Sequence, residues 1–391
     1  MNSLPDTNLP TSGSIAGDVT AAERRALAEL AARSHAVITA HQHAGGAYPA
    51  SPTFSAYAGY AWLRDGAFTA EGISRYGDVG SANGFHNWAN TVLTRRRDKV
   101  DDLVAAARRG EQPPNEAMLP TRFTLDGDDG SDPWWDFQTD GYGTWLWSVI
   151  THARRHGLDL DAWQGGINVA VDYLTAFWDR PCYDWWEEHV EQRHVSTLGA
   201  IHGGLRAALD TESLDPDRAA RATGAAGAIR TLVSSQGVED GHLTKWLGNN
   251  AVDGSLLACI VPFGLLDPSD PVAVETVEAV TRDLDVDGGV HRFRADVFYG
   301  GGQWLLLSAL LGWNRAAQGD PTAALRHLRW VAAQATPEGH LPEHVPTHLR
   351  HPESRAEWIE RWGTVATPLL WSHGMYLILA DELGLTSEAT L

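Results

Sequence analysis

The sequence predicts an all-α protein whose helices pair into antiparallel hairpins stacked in a closed ring. Three observations lead there. About twelve segments carry helical composition or spacing, while stretches with convincing strand alternation are few and short. Connections between the helical segments alternate short and long, as antiparallel pairs require. In such a toroid the long connections gather at one rim.

Residues 1–19 read as a loose polar leader, without the basic-then-apolar order of a secretion signal. Asp18-Val19-Thr20 then offers a cap, and Ala21 to Ile38 follows as a helix. Gly45, Gly46, Pro49 and Pro52 make 41–53 a loop or short strand. Ala56 to Tyr76 and Ser81 to Arg109 read as two helices, the second long and amphipathic. After an irregular stretch rich in Pro, Asp and Gly (110–133), helices fall near 140–156, 160–179, 194–210, 215–236, 252–264, 270–285, 302–317, 320–336 and 365–384. No stretch reads as an inter-domain linker and no strict repeat is visible, so residues 20–391 are expected to form a single domain.

The formal charge of -20 arises from 50 acidic against 30 basic residues, and such a surface repels phosphate backbones and anionic lipid. Nucleic-acid and membrane partners are therefore not expected. The dense basic run Arg95-Arg96-Arg97, flanked by Asp98, Asp101 and Asp102, reads as a solvated helix face. Cys182 and Cys259 form no paired framework, and no apolar run reaches membrane-spanning length, so a cytoplasmic protein is the default. The 17 Trp residues scatter from Trp62 to Trp371, which suggests many aromatic walls converging on one place.

Pro181-Cys182-Tyr183-Asp184-Trp185-Trp186-Glu187-Glu188-His189, running on to His194, sets two indoles directly before two adjacent carboxylates. Indole walls lower local polarity and favour a protonated carboxylic acid near neutral pH, as a general acid requires. Tryptophan faces also suit flat amphipathic ligands such as sugar rings. Read alone, the stretch equally fits a loop whose indoles plug the core while Glu187 and Glu188 face water.

Four other segments place polar or charged residues beside aromatics and glycine between helices. They are Tyr60 to Gly66, Trp134 to Gly141, Arg292 to Asp296 with Gly300 to Trp304, and Pro337 to His344. An adjacent Arg64-Asp65 is, by itself, ordinarily a local ion pair. The Gly300-Gly301-Gly302 run lacks the Lys-Ser/Thr of a phosphate loop. His340, His344 and His348 would share one face of a continuous helix, with His351 close by. Pro342 and Pro346 break any such helix, and a metal site is not expected.

Taken in order, the five segments resemble the motifs of glycoside hydrolase family 15, the glucoamylase, glucodextranase and trehalase group. Tyr60 to Gly66 is similar to the family's W-x-R-D segment, which implies that Arg64 and Asp65, beside Trp62, hold a non-reducing glucose. Tyr183-Asp184-Trp185-Trp186-Glu187-Glu188 resembles Y-D-L-W-E-E, which implies Glu187 as general acid, Glu188 as a substrate contact and Trp186 as a wall. Arg292 to Trp304 resembles R-Y-P-E-D-x-Y-Y-x-G-x-x-W, implying Arg292 as a sugar ligand, Asp296 as a supporting carboxylate and Trp304 as a wall. Trp134, Gln138 and Asp140 fall where the family has W-x-x-x-Q-x-D. Leu341-Pro342-Glu343-His344 with Trp371-Ser372-His373 resembles the S-E-Q and T-W-S-H segments, which implies Glu343 as general base. The likeness spans roughly 45–385, with His344 in place of the usual Gln and Trp185 in place of Leu.

The resemblance implies an (α/α)6 barrel, in agreement with the helix count. It also implies exo-acting hydrolysis with inversion, needing no metal or organic cofactor. Protonated Glu187 would donate to the glycosidic oxygen while Glu343, 156 positions later, activates a water on the opposite face. Inversion of that kind wants carboxyl groups roughly 6.5–9.5 Å apart. The compact chain, without a granule-binding module, looks more like the isomaltose glucohydrolases, which trim short α-1,6-linked oligosaccharides. Action on α-1,4 malto-oligosaccharides or trehalose, epimerase or lyase chemistry on the same architecture, and a non-catalytic sugar-binding protein are the alternatives.

Overall fold

The structure, a computed structural model, describes residues 18–134 and 136–387. All but the last two residues of the expected leader lie outside them, as does Trp135. Among the described residues there are thirteen α-helices, α1 (Ala21–His41), α2 (Leu63–Tyr76), α3 (Val79–Thr94), α4 (Arg97–Arg108), α5 (Asp140–His156), α6 (Gln164–Phe177), α7 (Val195–Leu209), α8 (Pro216–Gln236), α9 (Pro271–Leu284), α10 (Leu305–Ala317), α11 (Pro321–Ala333), α12 (Arg355–Trp362) and α13 (Leu370–Glu382). None is long and apolar enough to cross a membrane.

An inner ring runs α2, α5, α7, a 3-10 turn at Gly254–Cys259, α10, α13 and back to α2. Each member packs against one outer helix: α3, α6, α8, α9, α11 and α1 respectively. The result is an (α/α)6 barrel, as the helix pattern predicts. Chemistry separates the two layers. Outer α8 buries only a stripe, Ala222, Ala225, Ala226, Ile229 and Val233, while α10 and α13 are buried almost all round. Outer helices α8, α9 and α11 each start Asp-Pro, and Asp215, Asp270 and Asp320 accept a backbone N–H from the first turn at 3.0, 2.8 and 2.9 Å. The inner α2, α5, α7, α10 and α13 have no such side-chain cap.

Inner neighbours touch backbone to backbone. A Cβ added at Gly143 of α5 would lie 2.4 Å from the carbonyl oxygen of Ala200 in α7, and one at Gly72 of α2 would lie 2.4 Å from that of Gly374 in α13. Glycine at these crossings sets the tightness of the ring.

Among the described residues, eight two- or three-residue strands decorate the loops. They are β1 (Tyr60–Trp62), β2 (Arg122–Thr124), β3 (Val238–Glu239), β4 (His242–Leu243), β5 (Asp285–Val286), β6 (Gly289–Val290), β7 (Gln303–Trp304) and β8 (His344–Val345). β1 pairs antiparallel with β2, and β5-β6-β7-β8 form one antiparallel ribbon in which Trp304 faces His344.

The structure corrects five sequence-based expectations. Residues 56–62 are loop and β1, not the start of a helix, because Trp62 is extended and α2 begins after it. The expected 81–109 helix breaks at Arg95-Arg96, between α3 and α4. Arg96 turns inward there: it stacks over Phe123 and donates to the carbonyls of Val92 and Gly127 and to Asp129. Arg97 binds Asp172, so two members of the basic run are internal staples and not a solvated face. Residues 252–264 give a 3-10 turn instead of an α-helix, since Asp253 turns back to accept from Ser255 and Pro262 offers no N–H. Finally, α12 lies where no helix is expected.

The crossings yield a stability prediction. Gly143→Ala should destabilise the protein by about 1–3 kcal/mol through overpacking. Gly224→Ala on exposed α8, where a Cβ meets nothing within 4 Å, should be neutral or stabilising by up to about 1 kcal/mol. Thermal and urea denaturation of the two variants side by side checks the contrast.

Candidate active site

Most of the polar site residues lie in the segments that lead into the inner helices, so the ring brings six distant parts of the chain to one rim. β1 feeds α2 with Trp62, Arg64 and Asp65. Trp134, Gln138 and Asp140 lead into α5, and Asp184 to Glu188 precede α7. Asp253 precedes the 3-10 turn, Arg292 to Trp304 precede α10, and Glu343 precedes α13. Glu343 is seated by its N–H on the Ala366 carbonyl and by its own carbonyl on Leu305 N.

There they enclose a cavity of about 290 Å³. Eight tryptophans line it, namely Trp62, Trp134, Trp185, Trp186, Trp304, Trp358, Trp362 and Trp371. About half of the scattered indoles of the sequence do converge on one place. Its polar lining is Arg64, Asp65, Glu187, Glu188, Arg292 and Glu343, with Tyr57. Glu187 and Glu343 therefore share one pocket.

Glu187 Oε1 accepts from Trp62 Nε1 at 2.9 Å, Trp134 Nε1 at 3.0 Å and Gln138 Nε2 at 3.4 Å. Three donors on one oxygen leave Oε2 to act. The backbone of Glu187 is left-handed, φ 64°, a conformation costing a non-glycine residue roughly 1–2 kcal/mol. It is held by Asp184, whose Oδ1 accepts Trp186 N and Glu188 N at 2.9 Å each, while its carbonyl takes Glu187 N at 3.0 Å. In the same pocket the Tyr57 hydroxyl donates to Glu343 Oε1 at 3.3 Å, and its ring meets Trp62 edge-on at 5.5 Å.

Three predicted contacts stand a layer behind the wall. Asp140 and the Gln138 amide oxygen take the same Arg64 nitrogen at 3.0 and 2.7 Å. Asp296 grips Arg292 from behind, with Arg292 Nε donating at 2.9 Å. They fix two guanidinium groups whose other atoms face the cavity. Arg64 Nε and Asp65 Oδ2 are buried and face each other as an ion pair at 3.5 Å, with no hydrogen bond among the described residues. Glu188 is half-buried, 3.6 Å from Arg292.

Burial dominates the electrostatics. It pushes the Glu343 carboxyl up to about 8 against the opposing pull of Arg292 and Tyr57, with Asp65 and Glu187 adding to the rise. Asp65 rises to about 7 for the same reason, in spite of Arg64. Glu187 is also raised by burial, opposed by its indole hydrogen bonds and Arg64. Glu187 lines the cavity and keeps part of its surface accessible. The pocket thus holds carboxyl groups ready both to give and to take a proton near neutral pH.

The histidines of 340–351 do not converge. His344 lies 4.0 Å from Glu343, while His348 faces Asp287 and His351 pairs with Glu353. Among the described residues no group of three His, Cys, Asp or Glu is placed to hold a metal ion.

The sequence profile of the Glycosyl hydrolases family 15 matches residues 24–338, four-fifths of the chain. The chain belongs to glycosyl hydrolase family 15. This family-15 hydrolase is 74% identical over 364 residues to the isomaltose glucohydrolase of Kribbella flavida, a match covering 93% of this chain and 94% of that protein. A solved wild-type glycosidase superposes with a TM-score of 0.93 at 72% identity, covering 94% of this chain and all of that one. A single-substitution variant of a glycosidase, solved in complex with glucose, matches equally well at 72% identity, TM-score 0.93 and the same coverage.

Sequence reasoning missed Tyr57, which sits in a segment read as helix, and Trp358 and Trp362, which ride on the unexpected α12. It also missed Lys245, a buried lysine in a loop with no motif. Signals did exist for three of these four. A Tyr three residues before the Tyr60 segment, and a Trp pair at i,i+4, both suit an aromatic pocket.

The raised Glu343 pKa carries a consequence for stability. A carboxyl lifted from 4.5 to about 8 binds more protons folded than unfolded, so stability falls as pH rises between those values. Glu343→Gln should therefore stabilise the hydrolase, and by more at pH 8 than at pH 5, by an amount on the order of a few kcal/mol at most. Urea midpoints at the two pH values test the sign.

Proposed function

We propose that this family-15 hydrolase removes glucose from the non-reducing end of short α-1,6-linked oligosaccharides of the isomaltose type, with inversion at the anomeric carbon. The observation that carries the reading is the pair Glu187 and Glu343 in one indole-walled pocket, in a chain 74% identical to an isomaltose glucohydrolase. At about 290 Å³ the cavity sits at the small end of the roughly 300–1,000 Å³ of ligand pockets, suited to a chain end. Buried free Cys182 and Cys259 fit a cytoplasmic setting. We take residues 20–391 as one catalytic unit.

In the proposed reaction the terminal glucose lies among the indole faces, its hydroxyls held by Arg64, Asp65 and Arg292, with Glu188 beside them. Glu187, protonated on Oε2, donates to the glycosidic oxygen as the bond to the anomeric carbon breaks. Glu343, ionised, takes a proton from the water that attacks the opposite face. Tyr57 steadies the Glu343 carboxylate through its hydroxyl. Withdrawal from water raises both carboxyls, and at Glu343 the Arg292 charge and the Tyr57 hydrogen bond oppose that rise and favour the ionised form.

Leaving-group dependence separates the two roles. Glu187→Gln should lose about 10²–10⁴-fold on isomaltose yet keep most of its rate on glucosyl fluoride, whose leaving group needs no proton. Glu343→Gln should lose a similar factor on both substrates. Early-time NMR of the wild-type reaction should show β-glucose; α-glucose as first product would reject the inverting mechanism. Tyr57→Phe should lower kcat by at least about 10-fold, read by glucose release from isomaltose.

A further inference from the structure

Beneath the Glu187 loop, outside the cavity, lies a buried lysine that no motif of the sequence singles out. Lys245 is 4% exposed and stands over the Phe293 ring, 3.5 Å from its centre. Its ammonium donates to Asp253 Oδ2 at 2.7 Å and pairs with Asp184 Oδ2 at 3.2 Å. Both carboxylates then act on the active-site loop. Asp184 Oδ1 holds the backbone N–H groups of Trp186 and Glu188, on either side of Glu187. Asp253 accepts the Trp186 indole N–H at 3.0 Å, fixing one wall of the cavity.

We infer that Lys245 is the positioning residue of the Glu187 loop, aiming the carboxyl through Asp184 and the adjoining wall through Asp253. This rests on the reading of Glu187 as the proton donor. The left-handed backbone at Glu187 needs its clamp, and the clamp consists of carboxylates far from water. A buried carboxylate without a cation takes up a proton or turns outward. Lys245 prevents both. Burial works against its charge, but Asp253 and Asp184 more than offset that and hold it above the ordinary lysine range. Asp253 in turn is lowered in spite of burial, Lys245 being the strongest opposing influence. The titratable and charged groups facing the ammonium are Asp184, Asp253, Glu188 and His194.

The backbone around Lys245 is tied in as well. Lys245 N binds Ala251 O at 2.9 Å and Lys245 O accepts Val195 N at 3.2 Å, which joins the loop before the 3-10 turn to the start of α7. A side chain that only filled space here would be replaceable by an apolar one of equal length. A side chain that acts by charge would not be.

Lys245→Met and Lys245→Arg test this with isomaltose kinetics from pH 4 to 9, alongside Glu187→Gln. The methionine variant, folded by circular dichroism, should lose at least about 10-fold in kcat while KM changes less than about 3-fold, because Arg64, Asp65 and Arg292 still hold the sugar. The acid limb of its kcat profile should move to higher pH, as Asp253 takes up a proton earlier than in the wild type. Lys245→Arg keeps the charge and should restore the acid limb and most of kcat. A folded methionine variant with wild-type kcat and profile overturns the inference, and so does an arginine variant that falls as far as methionine. If the methionine variant does not fold, the arginine variant decides: an acid limb in the wild-type position upholds the inference, and a displaced one overturns it. Activity retained by Glu187→Gln would instead remove the underlying reading of the acid.

Discussion

Carboxyl groups held away from water constrain everything at the rim of this barrel. Asp65, Glu187 and Glu343 share one indole-walled cavity, and each is raised by burial. An isolated buried carboxylate is costly enough that the protein must either protonate it or surround it with compensating charge. Here both occur. Arg64 and Arg292 bring cations to the cavity, and Asp140 and Asp296 behind them keep the guanidinium groups charged and aimed. The inner helices add a smaller term. α2, α5, α7, α10 and α13 start at this rim without side-chain caps, so their partly positive ends are not already satisfied by Asp or Ser.

That arrangement needs a narrow ring. Were the inner helices a normal side-chain width apart, loops from six positions would not reach one small cavity. Close crossings at Gly143 with Ala200 and at Gly72 with Gly374 bring the backbones together, and the outer layer supplies the apolar cover. The ribbon β5-β6-β7-β8 completes the link, because pairing Trp304 with His344 puts Glu343 next to the Arg292 loop. Helix packing thus sets the width of the pocket, and loop hydrogen bonds set the aim of each acid.

Much of this was legible in the sequence because the signals are local. Asp-Pro caps mark helix starts, and runs such as Trp185-Trp186-Glu187-Glu188 put hydrophobic walls beside acids within one loop. Arg64-Asp65 was legible as a pair, but its place in the pocket depends on Gln138 and Asp140, some 75 residues away. What could not be read depends on distant partners. The break between α3 and α4 follows from Arg96 reaching Phe123 and Asp129, which no helical period reveals. Tyr57 gains its role from Glu343, 286 positions away, and Lys245 from Asp184 and Asp253 across two loops. The 252–264 segment is apolar enough to suggest a helix, yet a local Asp253–Ser255 turn and Pro262 win over composition.

The net charge of -20 and the chemistry of the pocket are separate problems, and the structure treats them separately. A neutral sugar gains nothing from the outer field, so on the proposed reading recognition rests on short-range contacts: indole faces, two guanidinium groups and a few carboxyl oxygens. Such contacts discriminate by geometry, and geometry is what the layer behind the wall controls. Gln138 and Asp140 fix Arg64, Asp296 fixes Arg292, and Asp184 fixes the turn that carries Glu187. None of these four residues lines the cavity. A substitution there leaves every sugar-facing side chain in place but loosens its aim, and proton transfer to or from an acid demands that aim more than binding does. The residues one layer out therefore weigh on turnover more than on affinity.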